Sequence, residues 1–362
     1  MMGEKKRLLW ARWQRLIRWE FWPVWAVYPP VLFWTLVQAI RLRGLTLWVN
    51  CNPGMRASGL ALEEKGGILD SFKGEEGRVR IARYLRIAPG DLKAMEKLES
   101  FMAKFDLSYP IVLKPDFGQR GQGVEIVGNK RQAERWLKKC RDGVVVQEMI
   151  EGLEFGVHWQ KFPNADKGEI RSICGKHPQF VVGSGWQSLE DLILEDDRAV
   201  LMYRYYFAKY RDQLRKIIPE GEKFILAPIG THARGAVFTD ERELLTDELR
   251  KAFDELGERF PGFNFGRYDV KVPSVADFQG GRNIVVLELN GVMGEPAHIY
   301  HPGYPWWKGV RDLCRQFQRA TEIGAAWREL GKKPPEMGDV IELIRQHCEK
   351  DYLEVDHLQR KS

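Results

Sequence analysis

Three segments of this chain carry side chains whose spacing suits phosphate or cation chemistry. Tyr109 to Val127 reads YPIVLKPDFGQRGQGVEIV. The apolar run Ile111 to Leu113 delivers Lys114, a loop with Gly118, Gly121 and Gly123 follows, and a second β-branched run begins at Val124. Glycines let backbone N–H groups close on anionic oxygens, and a lysine on the preceding strand adds a full positive charge. A hairpin with a Gly-rich turn accounts for the same residues, so the loop alone leaves both readings open. Further on, Arg267 and Asp269 stand two positions apart, as do Glu288 and Asn290 on the apolar run Ile284 to Leu289. That spacing directs each pair to one face of a strand. A carboxylate and an amide on a face otherwise suited to burial are costly without a metal or cationic partners.

The third segment, Val144 to Val157 (VVVQEMIEGLEFGV), supplies a positioning element. Val144 to Val146 read as a strand buried on both faces, followed by a turn and Glu154. Pro89 to Phe105 and Arg131 to Cys140 have the periodicity of helices that flank these strands. Lysine-bearing strand, Gly-rich loop, hinge strand ending in Gly-x-Glu, then Arg-x-Asp and Glu-x-Asn on two late strands: this order resembles the ATP-grasp superfamily, of the kind seen in D-alanine-D-alanine ligase and the ligase module of cyanophycin synthetase. The resemblance runs from Lys65 to Tyr300, about two thirds of the chain.

The resemblance implies an α+β ATP-grasp fold, two α+β subdomains clasping ATP, preceded here by an aromatic and basic helical segment. It implies that Lys65, 49 positions before Lys114, is the first phosphate-contacting lysine; an exposed helix-start lysine is the alternative. Gln147, Glu148, Met149 and Ile150 become the adenine-edge segment and Glu154 the acceptor for ribose hydroxyls. Lys176 is placed to reach a nucleotide phosphate. Asp269, Glu288 and Asn290 match the three magnesium-ligand positions, for one or two ions with manganese as a substitute. Arg267 would meet a substrate carboxylate or acyl phosphate. Arg234 is a second candidate for that charge, or else a partner of Asp240, Glu241 or Glu243.

Two departures limit the match. Ser184 stands in a turn where the family usually has Asp, and after Asn290 the chain reads GVMGEPAHIYHPGYPWWKGV in place of a Pro-Gly acceptor segment. Glu295, His298, Tyr300 and His301 could line a different acceptor pocket, or His298 and His301 could serve loop backbone groups.

Composition excludes some classes. A chain of 362 residues with 44% hydrophobic and 29% charged residues is globular rather than disordered. Its net charge of +6 is uneven, with Lys5, Lys6, Arg7, Arg12, Arg15 and Arg18 crowded at the start. That crowding suits an anionic surface rather than a nucleic-acid-binding domain. Five cysteines without C-x-x-C spacing predict reduced thiols in the cytoplasm.

Seven of the thirteen tryptophans fall by position 48, which sets residues 1–44 apart. Lys5 to Trp19 interleaves Arg with Leu, Ile and Trp at helical spacing, and Phe21 to Val37 holds no charge. Pro23, Pro29 and Pro30 interrupt this run, so a surface-lying or re-entrant hairpin kinked at Tyr28-Pro29-Pro30 fits better than a transmembrane helix. Packing on the body or a dimer contact is the alternative. The expected location is cytoplasmic, peripheral or monotopic on the membrane. The expected units are 1–44, a pre-ATP-grasp region 45–105 beginning with a strand at Leu45 to Val49, an ATP-grasp domain 106–308, and closing helices with a charged tail over 309–362. Met202 to Lys216 reads as one helix, and Ser188 with Asp191 as a helix cap.

These readings converge on an ATP-dependent ligase that joins a carboxylate to an amine or other nucleophile through an acyl phosphate, with a membrane-associated or amphiphilic substrate as one option. A kinase on the same fold and a nucleotide-binding adaptor without turnover are the alternatives.

Overall fold

The computed structural model describes residues 4–74, 76–118 and 121–349. Residues 350–362, the end of the expected closing helices and charged tail, and Gln119 and Arg120 of the Gly-rich loop, lie outside them.

Two sheets face each other across the site. The larger has six strands in the order β1, β12, β11, β6, β7, β10. These are β1 (Val79–Ile81), β6 (Leu153–Gln160), β7 (Glu169–His177), β10 (Val237–Asp240), β11 (Phe265–Val272) and β12 (Ile284–Asn290). Its pairs are antiparallel except β1 with β12. The other sheet, in the order β2, β5, β3, β4, contains β2 (Tyr84–Ile87), β3 (Ile111–Pro115), β4 (Glu125–Val127) and β5 (Val144–Glu148). β1 and β2, both from region 45–105, therefore join one sheet each.

Each sheet is covered by amphipathic helices on the face away from the site. Asp247–Glu258, capped where Thr246 accepts from the Leu249 amide at 3.1 Å, lays Leu249, Phe253 and Leu256 against Val157, Tyr268 and Val270. Ala94–Lys104 and Lys130–Lys139 bring Leu98, Phe101 and Trp136 onto Ile111, Leu113, Val144 and Val146. A two-stranded ribbon, β8 (Gln179–Val182) with β9 (Lys223–Ala227), carries short helices, and Ser188 and Asp191 form a reciprocal capping box there.

Two expected elements differ. Leu45 to Val49 is not a strand: Leu47–Asn50 forms a 3-10 turn buried on the helix Trp306–Glu329. The Leu47 carbonyl comes so close to that helix that only glycine fits at position 324, so burial rather than strand pairing accounts for the apolar run. Met202 to Lys216 is also not one helix; Tyr203–Lys209 lies between 3-10 turns at Ala199–Met202 and Arg211–Gln213.

The N-terminal segment folds into helices Glu4–Ile17, Val24–Val27 and Pro29–Arg41. Pro29 and Pro30 begin the last of these, where a missing N–H costs nothing, so they separate two helices rather than kink one. The inner side packs on the body: Trp19, Val27 and Val31 join Ile299, Leu313 and Phe317 in one cluster. Glu20, only 4% exposed in its side chain, pairs with Arg198 at 2.5 Å and with His232 at 3.4 Å. The outer side is apolar and exposed, with Trp13 at 60%, Trp25 at 78% and Phe33 at 68%. No helix among the described residues is long and apolar enough to cross a membrane. All five cysteines are free thiols.

Candidate active site

β11 and β12 set the registration of the site. Arg267 lies opposite Asn290 and Asp269 opposite Glu288, so all four fall on two adjacent rungs of one face. The ladder then slips, with Val270 opposite Val286, leaving Leu287 as the extra residue of a bulge. The Leu287 carbonyl accepts from Lys114 Nζ at 3.2 Å and from Gln147 Nε2 at 3.1 Å. Both donors come from the four-stranded sheet, so the bulge ties the two sheets together at the site.

Asp269 is the electrostatic centre. Its Oδ1 meets Arg267 Nε at 2.9 Å and Lys176 Nζ at 2.9 Å, and its Oδ2 accepts from Asn290 Nδ2 at 3.3 Å. Burial acts to raise its pKa, but Arg267 and Lys176 outweigh that and hold the carboxyl down to about 2. Lys176 lies on β7, two strands from β11. It crosses β6 above Gly156, where even a Cβ would stand 3.2 Å from Arg267, 3.4 Å from Asp269 and 3.5 Å from Lys176.

On the facing sheet, burial pushes the Lys114 ammonium down to about 8, with Glu288 pulling it up and Lys65 adding to the depression. Lys114 also donates to Gln147 Oε1 at 3.0 Å. Lys65 opens the helix Lys65–Asp70 and is not a free surface lysine, because its Nζ donates to the Gly118 carbonyl at 2.5 Å. Gly121 and Gly123 have φ of 73° and 70°, the left-handed region that favours glycine. The Gly-rich loop, Lys65, Lys176 and the Arg267–Asp269–Glu288–Asn290 face line one cavity of about 1480 Å³.

The remaining expected residues fall in other places. Glu148 is buried and accepts from the Arg83 amide at 2.7 Å and from the Arg80 guanidinium. Its own amide donates to the Arg83 carbonyl, while the Ile150 carbonyl accepts from Lys271 at 2.8 Å, with Met149 between them. Glu154 pairs with Lys176 at 3.3 Å. Arg234 donates to the Val124 carbonyl at 3.4 Å and packs against the loop at Gly121. Asp240, one of its possible partners, is bound instead by Arg242. His301 accepts from the Asp240 amide at 3.2 Å, the backbone role considered for it. His298 is buried between Ser172 and Asp312.

Sequence reasoning missed Glu63 and the N-terminal contributions. Leu62 has φ of 54°, unusual for a branched side chain, and the two acids that follow it part ways. Glu64 pairs with Arg86 at the surface, whereas Glu63 lines the cavity and faces the Gly291 amide at 3.4 Å. Burial pushes the Glu63 carboxyl up to about 8; the Gly291 hydrogen bond opposes this and Glu288 adds to it. From the N-terminal segment, the Tyr28 hydroxyl donates to Glu295, which also accepts from Tyr300 at 2.6 Å. The Glu295 carbonyl in turn accepts from Arg267 at 3.1 Å. Nothing in the sequence pattern joins positions 28 and 267.

No protein-family model matches the chain, and no curated protein matches it in sequence. Among solved structures it resembles D-alanine-D-alanine ligase from Bacillus anthracis complexed with ATP, at 13% identity and TM-score 0.36, over 67% of this chain and 63% of that one. It also resembles VanG D-Ala:D-Ser ligase from Enterococcus faecalis, at 13% identity and TM-score 0.36, over 66% and 57%. A third is a bifunctional glutathione synthetase from Pasteurella multocida, at 13% identity and TM-score 0.32, over 68% and 35%. The chain thus spans less than two thirds of the length of each.

Proposed function

We propose that the protein is an ATP-dependent ligase joining a carboxylate to an amine through an acyl phosphate. The observation that carries this reading is the single cavity wall on which Arg267, Lys176, Asp269, Glu288 and Asn290 meet, opposite Lys65 and the Gly-rich loop. Lys65, Lys114 and the loop amides would hold the nucleotide phosphates, with Lys176 nearest the transferred group. The backbone around Met149 would border adenine, and Glu154 the ribose.

The donor set fits a hard divalent cation. Asp269 is ionised, Asn290 turns its amide nitrogen to Asp269 and so presents its oxygen elsewhere, and Glu63 and Glu288 crowd acidic oxygens that a cation would relieve. Magnesium held by Asp269, Glu288 and Asn290 would neutralise charge between phosphate oxygens.

Arg267 would orient the substrate carboxylate, whose oxygen attacks the γ-phosphorus as ADP leaves. An amine then attacks the acyl carbon, phosphate departs with the C–O electron pair, and the amine loses one proton. Positioning and fixed charge supply the catalysis, since no side-chain nucleophile is required. Arg234 acts one step away, by bracing the Gly-rich loop. The exposed aromatic face of residues 5–43, with its arginines, is proposed to rest on an anionic membrane surface.

Hydroxylamine tests the intermediate without knowledge of the amine. With ATP, magnesium and pools of carboxylates, it should trap a hydroxamate in the wild type and none in Arg267→Met. ADP formation without any hydroxamate would remove the acyl phosphate from the account.

A further inference from the structure

The cavity is larger than one small-molecule pocket requires, since such pockets run from about 300 to 1,000 Å³, and it continues from the polar wall into apolar surroundings. The second arm is lined by Val27, Val31, Leu32 and Leu36 of the N-terminal helices with Leu60 and Phe317 of the body. Val31 is fully buried, Leu36 is 48% exposed and Leu32 63%, so the arm runs from the interior to the outer face of the segment. We infer that this arm binds a hydrocarbon tail, and that the substrate whose head meets Arg267 is a single-chain amphiphile with a carboxylate head. The head's identity rests on the ligase reading; the tail site does not.

Several polar groups of the lining are already paired within the protein. Glu295 accepts from Tyr28 and Tyr300, Glu20 pairs with Arg198, and Thr35 donates to the Val31 carbonyl at 2.8 Å. An extended peptide would find few backbone partners in such a wall. A second copy of the chain covering the apolar arm would make no use of the polar wall at the other end. An amphiphile satisfies both ends at once: its tail removes Leu32 and Leu36 from water, and its anionic head meets Arg267 and Lys176. The arm also reaches the surface on the elements that expose Trp25 and Phe33, so a tail can enter directly from a lipid layer.

Calorimetric titration of the full chain with butyrate, octanoate and dodecanoate, each below its micelle concentration, tests this. Affinity should rise about three- to fourfold per added methylene while the tail is being buried, at one site per chain. Dodecanol, which lacks the carboxylate, should bind more weakly than dodecanoate. The double variant Leu32→Arg, Leu36→Arg changes exposed positions, so its thermal melt should match the wild type while the chain-length dependence disappears. Equal affinity for all three acids, an unchanged slope in the variant, or many equivalent sites per chain would overturn the tail site. So would a wild-type dimer that the variant turns into a monomer while the slope is absent. Chain-length dependence without hydroxamate formation would retire the ligase reading alone, and hydroxamate from short acids with a flat slope would retire only the tail site.

Discussion

Lys176 and Asp269 lie on strands that do not pair, yet their side chains meet at 2.9 Å in the space above Gly156 of the strand between. The absence of a side chain at position 156 is what lets a cation from β7 share the Asp269 carboxylate with Arg267. Burial would otherwise favour the protonated acid and the neutral amine; together the three groups keep their charges.

Replacing Gly156 should therefore act on the site more than on the sheet. Gly156→Ala adds one methyl at contacts of 3.2 to 3.5 Å and should slow turnover several-fold. Gly156→Leu should separate Lys176 from Asp269 and reduce kcat at least about a hundredfold, roughly what loss of one aimed charge costs, while overpacking lowers stability by about 1–3 kcal/mol. Steady-state kinetics with urea unfolding checks both.

Lys114 gives the site a pH dependence with a definite sign. Burial pushes its pKa down to about 8, so its charge, which the proposed phosphate binding would use, is lost as pH rises through that value. ATP affinity should weaken from pH 7 to 9. In Lys114→Arg, whose charge persists over that range, whatever affinity remains should be flat with pH. Equilibrium binding at several pH values measures this.

Glu63, pushed up to about 8, is largely protonated at pH 7. A cation entering beside Glu288 would favour its ionised form, so magnesium should release close to one proton per site in the wild type and far less in Glu63→Gln. Titration calorimetry in buffers of different ionisation heat reads the number directly.

Glu20 anchors the N-terminal helices. Burial works to raise its pKa, but hydrogen bonds and charge from His232 and Arg198 hold it below the usual carboxylate range. A depressed folded value means that its contribution is present above the unfolded pKa and is lost as pH falls below it. Glu20→Ala leaves Arg198 without its partner and should cost about 3–5 kcal/mol, the range for breaking a buried pair, measured by denaturant unfolding at pH 7.

Membrane contact should depend on Trp13, Trp25 and Phe33, which are exposed, and not on Trp19, which is buried and donates to the Tyr304 carbonyl at 2.6 Å. Changing the three exposed residues to Glu should abolish sedimentation with anionic vesicles and leave the thermal melt unchanged. Sedimentation as in the wild type would remove the membrane from the account.

Much of the site was legible because strand periodicity fixes which side chains share a face. Arg267, Asp269, Glu288 and Asn290 follow from spacing once their strands are recognised, and Lys114 from its place at the end of an apolar run. Glu63 was not legible, since a left-handed Leu62 decides which of two adjacent acids turns inward, and backbone handedness at a branched residue leaves no compositional trace. The bulge at Leu287 and the gap above Gly156 were hidden for a related reason: each depends on registration between strands distant in sequence. The aromatic N-terminus was legible as amphipathic, but its sequence did not reveal that one side would wall the cavity through Tyr28 and Val31 while the other stayed exposed.

The most direct test of the central claim is ADP release by the purified 362-residue chain with ATP and magnesium across pools of carboxylates, long-chain acids included, and amines, with Glu288→Gln as the control. The account predicts release that needs one member of each pool and is lost in the variant. Release that needs a single acceptor and yields a stable phosphorylated product would contradict ligation and make the protein a kinase.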